Sequence, residues 1–151
     1  MGNEKGERYW KFILSLLGIF IFLALIDVKF DDPFKATDAF WLYVDLYWIF
    51  AYALVIVMGL TYFLITRDKS ESVAFMIAFV ILEKTGLEDV IYYMIKQQSL
   101  PMVMDHLMKH PVISVPAKTL GLSTVTPLSL MISVIIGILV ATFVAKKLKE
   151  I

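Results

Sequence analysis

Four predominantly apolar stretches of this chain reach the length of a bilayer crossing, at about 10–28, 40–65, 72–95 and 128–145. A spanning helix needs roughly 20 such residues. Shorter polar segments separate them. The pattern predicts an all-α integral membrane protein with four transmembrane helices, forming a single domain over 1–151. Composition agrees, since 60% of the residues are hydrophobic against about 45–50% apolar in soluble domains. The first stretch is too long for the apolar core of a signal peptide, and no small-residue cleavage site follows it. It reads as a retained span.

The segment between the third and fourth stretches, 97–126, is too long for a plain connection. Ser99-Leu100-Pro101 reads as a helix start and His110-Pro111 as its end. Val103, Met104, Leu107 and Met108 fall on one stripe, with Met102, Asp105, His106, Lys109 and His110 on the other. This predicts a short amphipathic helix lying at the outer interface. Asp38 is the expected N-cap of the second span. Thr126-Pro127 is the expected cap and first turn of the fourth.

Lys and Arg counts near the span ends set the orientation. Lys5, Arg8, Lys11, Arg67, Lys69, Lys146, Lys147 and Lys149 fall on one side. Lys29, Lys35, Lys96, Lys109 and Lys118 fall on the other. Both termini are therefore expected in the cytoplasm. Asp27, Asp45, Glu88 and Asp89 then share the outer leaflet, although they come from three helices. Net charge is zero, so no global basic field points to nucleic acid. The absence of cysteine removes disulfides, thiolate metal sites and Cys nucleophiles.

Within the third stretch lies Glu83-Lys84-Thr85-Gly86-Leu87-Glu88-Asp89. A charge near the bilayer centre costs roughly 2.5–3.5 kcal/mol on insertion scales, which makes an intramembrane ionisable residue a candidate site. On a continuous helix Lys84, Thr85, Glu88, Asp89, Tyr92 and Lys96 share one half, and Glu83 points elsewhere. One reading is a water-accessible cavity lined by Glu88, Asp89 and Tyr92, suited to proton coupling or general acid–base work. The other is internal pairing, with Lys84 and Glu88 four residues apart, or a salt bridge between subunits. An alternative topology breaks the third span at Gly86 and makes 73–82 re-entrant.

In the second span Trp41, Asp45, Trp48 and Tyr52 fall on one face. A carboxylate among aromatic rings is the chemistry of a cation site, and an interfacial aromatic belt is the plainer reading. His106 and His110 stand four apart, the helical spacing for sharing a metal. With Asp45, Glu88 and Asp89 they would form a site for iron, manganese or zinc. The dipole of a helix C-terminus explains His110 without a metal.

Tyr43-Val44-Asp45 and Gly86-Leu87-Glu88-Asp89 loosely resemble the paired aspartates of intramembrane aspartyl proteases, but the second glycine before the aspartate is missing. Four spans with an embedded carboxylate beside Trp and Tyr look, in general layout, like small multidrug transporters. Here the acidic cluster is in the third span rather than the first. Neither resemblance rests on a motif, and no family is assigned. The leading expectation is binding or transport of a cation or amphipathic small molecule by Asp45, Glu83, Glu88 and Asp89, with Trp48, Tyr52 and Tyr92 lining the path, in a homodimer or homotrimer. The alternatives are a metal-dependent intramembrane enzyme acting on a lipid, and a structural subunit of a membrane complex.

Overall fold

The computed structural model describes the backbone of residues 2–35 and 40–149, and most side chains from Trp10 onward. The elements are α1 (Gly2–Lys35), α2 (Phe40–Thr66), α3 (Lys69–Lys84), α4 (Leu87–Ile95), a 3-10 turn (Asp105–Lys109), α5 (Ser114–Thr119) and α6 (Pro127–Lys149). Three of these helices are long and apolar enough to cross a membrane, over Trp10–Phe30, Asp45–Thr66 and Pro127–Leu148. The backbone around Asp31 and Pro33, expected as loop, continues α1. The expected cap at Asp38 lies outside the described residues.

The core is a ladder of paired side chains that fixes helix direction. Phe12 meets Phe75 edge-on at 5.6 Å and Phe20 stacks on Phe79 at 4.8 Å, so α1 runs parallel to α3. The Ser72 hydroxyl donates to the Gly59 carbonyl, and Tyr52 reaches Glu83, so α2 runs antiparallel to α3. Leu130 lies beside Gly86, while Ile138 and Ala141 lie beside Leu82, so α6 is antiparallel to α3 as well. The near end of α1, the α2–α3 turn and the end of α6 therefore share one end of the bundle. Residues 97–126 cap the other.

Two glycines permit this packing. A Cβ on Gly59 would come within 2.6 Å of the Met76 side chain, and one on Gly137 would overlap Thr85. Neither belongs to a GxxxG motif, so their role is visible only in three dimensions. They act within the chain, as small residues do at membrane helix crossings.

The third apolar stretch is two helices, not one. Gly86 adopts a left-handed conformation with φ +89°, open to glycine and costly to other residues. Gly86 N–H turns to the Glu83 carbonyl at 3.1 Å, and the Thr85 hydroxyl lies 3.0 Å from the Leu82 carbonyl this frees and from that of Ile81, which keeps its Thr85 N–H. With 16 residues, α3 is about 24 Å long, short of the roughly 30 Å hydrocarbon core. Past the break the partners change. The main packing partner of α3 is α6, whereas α4 packs on α1.

The expected amphipathic helix is only the 3-10 turn. Its burial follows the expected stripes in part: Met104 and Leu107 are buried and Asp105, His106 and Lys109 exposed, but Val103, expected on the apolar stripe, is exposed too, because it precedes the turn. The Met104 amide bonds Val125 at 3.0 Å, closing 105–124 into a compact cap. Its own core of Met104, Leu107, Ile113, Ala117, Val125 and Leu130 packs against the break at Gly86. The expected cap of the last helix is present. Ser129 N–H donates to the Thr126 hydroxyl at 3.3 Å, and Thr126 N–H to the Ser129 hydroxyl at 2.9 Å.

Candidate functional site

The charged run flanks the helix break, and that placement explains much of its sequence. Lys84 is in the last turn of α3, while Glu88 and Asp89 are in the first turn of α4. Cations near a helix C-terminus and anions near an N-terminus are each worth about 0.3–1 kcal/mol, and up to ~2 kcal/mol when partly buried. A break with this charge order is therefore favoured over one with the reverse order.

Glu83 is buried, its side chain 4% exposed, and Lys84 Nζ lies 3.1 Å from its Oε2. The Tyr52 hydroxyl donates to the same oxygen at 3.3 Å. The ammonium of Lys84 stands 5.2 Å from the Trp48 ring centre and 5.5 Å from that of Tyr52. Trp48 and Tyr52, two of the rings expected to surround a cation beside Asp45, flank the chain's own Lys84 instead. The expected Lys84–Glu88 pair is replaced by Lys84–Glu83, because the break at Gly86 removes the helical register that four-residue spacing requires.

Beyond the break, the Tyr47 hydroxyl donates to Glu88 Oε1 at 3.1 Å. Asp27, carried by α1, lies close enough to interact electrostatically with both Glu88 and Asp89. Glu88 and Asp89 are half-buried. Among the described residues neither has an ion-pair partner. Acids from three elements thus meet at one level: Asp27 on α1, Glu83 on α3, and Glu88 and Asp89 on α4.

Asp45 is exposed and stands apart from this group. Tyr47 takes the place expected for it. Helical spacing gives no hint of this, because Tyr47 lies off the Trp41–Asp45–Trp48–Tyr52 face. The side chain of Trp41 is outside the described set. Tyr92 is buried, edge-on to Tyr93 at 5.3 Å, with Lys96 over its ring at 4.8 Å. A cavity of about 180 Å³ beside the break is lined by Thr85, Pro111, Val112, Val115, Pro116, Ser133 and Ile136. No carboxylate borders it.

The metal set Asp45, Glu88, Asp89, His106 and His110 is not brought together. Among the described residues no three His, Asp or Glu side chains are grouped to hold a metal ion. The two histidines fall in and just after the 3-10 turn. At three residues per turn, positions four apart point about 120° away from each other, so the α-helical spacing argument does not apply. His106 is exposed. His110 is structural, since its Nδ1 accepts the Val112 and Ile113 amides at 3.4 and 3.3 Å.

Burial, then the Lys84 charge, hold His110 below the ordinary value of 6.5. The neutral ring is thus the form the fold prefers. Its stabilising contribution is complete above the unfolded value and declines as pH falls through 6.5 toward the depressed folded value. Amide exchange at Val112 and Ile113, corrected for intrinsic rates, should therefore accelerate as pH drops below that point. His110→Ala should remove the pH dependence. Flat protection across the range in the wild-type protein would contradict this role.

No family model, curated protein or solved structure matches this chain.

Proposed function

We propose that this is a four-span membrane protein, with both termini cytoplasmic, that binds or transports a cation or a cationic amphipathic small molecule at the broken third span. In this reading α3 and α4 together make the third crossing, and the 97–126 cap lies at the outer interface. The positive-inside count and the antiparallel order of the helices support it. The protein would act as a homodimer or homotrimer, since apolar side chains such as Ile49, Ile56, Leu60 and Leu64 leave much of α2 exposed to lipid or a partner.

One observation carries the proposal. Glu88 and Asp89 sit half-buried beside Asp27, while the nearby ammonium of Lys84 is committed to Glu83. A bound cation or a proton supplies the charge that Glu88 and Asp89 call for. Discontinuous membrane helices recur where transporters hold ions and substrates, because they place backbone ends and polar side chains at depth. The Trp48–Tyr52 cage lies next to the same acids, and an incoming organic cation would compete with Lys84 for those rings.

Purified protein titrated with tetraphenylphosphonium should show saturable binding by calorimetry. Glu88→Gln and Asp89→Asn should each weaken it by about tenfold or more, the range for losing a charged contact. Asp45→Asn should leave it unchanged. Wild-type affinity in a folded Glu88→Gln variant would refute the assignment.

A further inference from the structure

At the opposite end of the bundle α1 and α6 both border α3 but scarcely touch each other. Between them lies a cavity of about 280 Å³ lined by Phe12, Leu16, Leu82, Ile138, Ala141, Thr142, Ala145 and Lys146. The trough has a sequence cause. Ala141 and Ala145 are one turn apart on α6, and their short side chains leave space that Phe12 and Leu16, also one turn apart on α1, do not fill. Leu82 is part of the wall contributed by α3. The walls are apolar except for Thr142 and Lys146.

Lys146 is exposed and follows Ala145 directly, so the cation sits at the end of the trough. Lys147 follows it, and Arg67 in the α2–α3 turn and Lys69 at the start of α3 lie at the same end of the bundle. An apolar slot ending in a cationic rim complements a molecule with a hydrocarbon tail and an anionic head. We propose that this groove holds one acyl chain of an anionic glycerophospholipid, with Lys146 on its phosphate. The charge at the rim selects this occupant: an apolar partner helix would gain nothing from Lys146, and a free phosphate would not use the walls. The groove shares no lining residue with the acid group, although its Leu82 precedes Glu83 on α3, and it does not depend on the cation reading.

Near-surface lysines are worth about 1 kcal/mol each toward anionic lipid, or about fivefold in affinity. Native mass spectrometry of the whole protein, incubated with equal phosphatidylglycerol and phosphatidylcholine, reads this directly. Wild type should retain one phosphatidylglycerol in about fivefold preference. Lys146→Gln should lose the preference, and Lys146→Arg should keep it. Ala145→Phe, which fills the trough, should lose the retained lipid altogether. Lys146→Gln alters only an exposed position, so it tests the proposal even where Ala145→Phe fails to fold. Equal retention of the two lipids by wild type, or unchanged preference in Lys146→Gln, would overturn it, leaving only annular lipid. A change of oligomeric state in Ala145→Phe with lipid retention unaltered would also overturn it, in favour of a second copy in the groove.

Discussion

Lys84→Met should destabilise the protein by about 2–4 kcal/mol, measured by reversible unfolding in mixed micelles. Removing one partner of a buried ion pair typically costs about 3–5 kcal/mol, because the other charge stays buried and uncompensated. The smaller loss expected here reflects a Lys84 side chain that is 39% exposed against 4% for Glu83, since exposure screens the pair. After the substitution the Tyr52 hydroxyl remains on the Glu83 carboxylate, which does not replace a charge. The double variant E83Q/K84M should recover most of the loss, since a neutral pair leaves no stranded ion. Stability of K84M within about 0.5 kcal/mol of wild type, the ordinary range for surface changes, would show that Glu83 does not need its cation. Recovery in the double variant would assign Glu83–Lys84 to structure and leave Asp27, Glu88 and Asp89 as the binding acids.

Gly86→Ala should be comparably damaging, at about 2–5 kcal/mol, for two separable reasons. The left-handed backbone at φ +89° costs an L-residue roughly 1–2 kcal/mol. The new methyl would also lie 2.6 Å from Leu130 Cδ1 and 3.3 Å from Ile113 Cδ1. Leu130 is fully buried, so relief requires movement of packed side chains, about 1–3 kcal/mol by the usual cost of overpacking. A double-mutant cycle with Leu130→Ala divides the two. The clash appears as a coupling of about 1 kcal/mol or more, and the backbone cost remains. Additive losses in the cycle would mean that the steric contact carries no energy. The same variant should weaken the proposed cation binding, because straightening the break between α3 and α4 moves Glu88 and Asp89 away from Tyr47 and Asp27.

Both predictions concern contacts invisible along the chain. Insertion cost singles out residues 83–89, and that inference needs no partners. What each charge does there depends on a break whose signal, one glycine in an apolar stretch, is weak. Gly18 is equally isolated and a Cβ on it would meet nothing within 4 Å. Only the surroundings of Gly86, with Leu130 and Ile113 against it and the Thr85 hydroxyl on the freed Leu82 carbonyl, turn a tolerated residue into a hinge between two helices.

Tyr47 shows the same limit. The acidic group needed a phenol donor, and the second span offers several tyrosines on different faces. Because that span is apolar nearly all round, no amphipathic stripe states which face turns inward. Rotation is decided by close packing, through Gly59 against Met76 and the Phe12–Phe75 and Phe20–Phe79 contacts.

From the amino-acid order alone came the helical class, the three long apolar helices, the Thr126 cap of the last one, and the location of the polar run. These follow from hydrophobic length, local hydrogen bonding and the cost of burying charge, all of which act within one segment. Tertiary structure decided that the third stretch divides at Gly86, that Lys84 fills the aromatic cage and pairs with Glu83, that Asp45 stays outside, and that His106 and His110 do not act as a pair. Those outcomes depend on helix rotation and on contacts between segments far apart in sequence, where burial of small residues and satisfaction of freed carbonyls outweigh any local pattern.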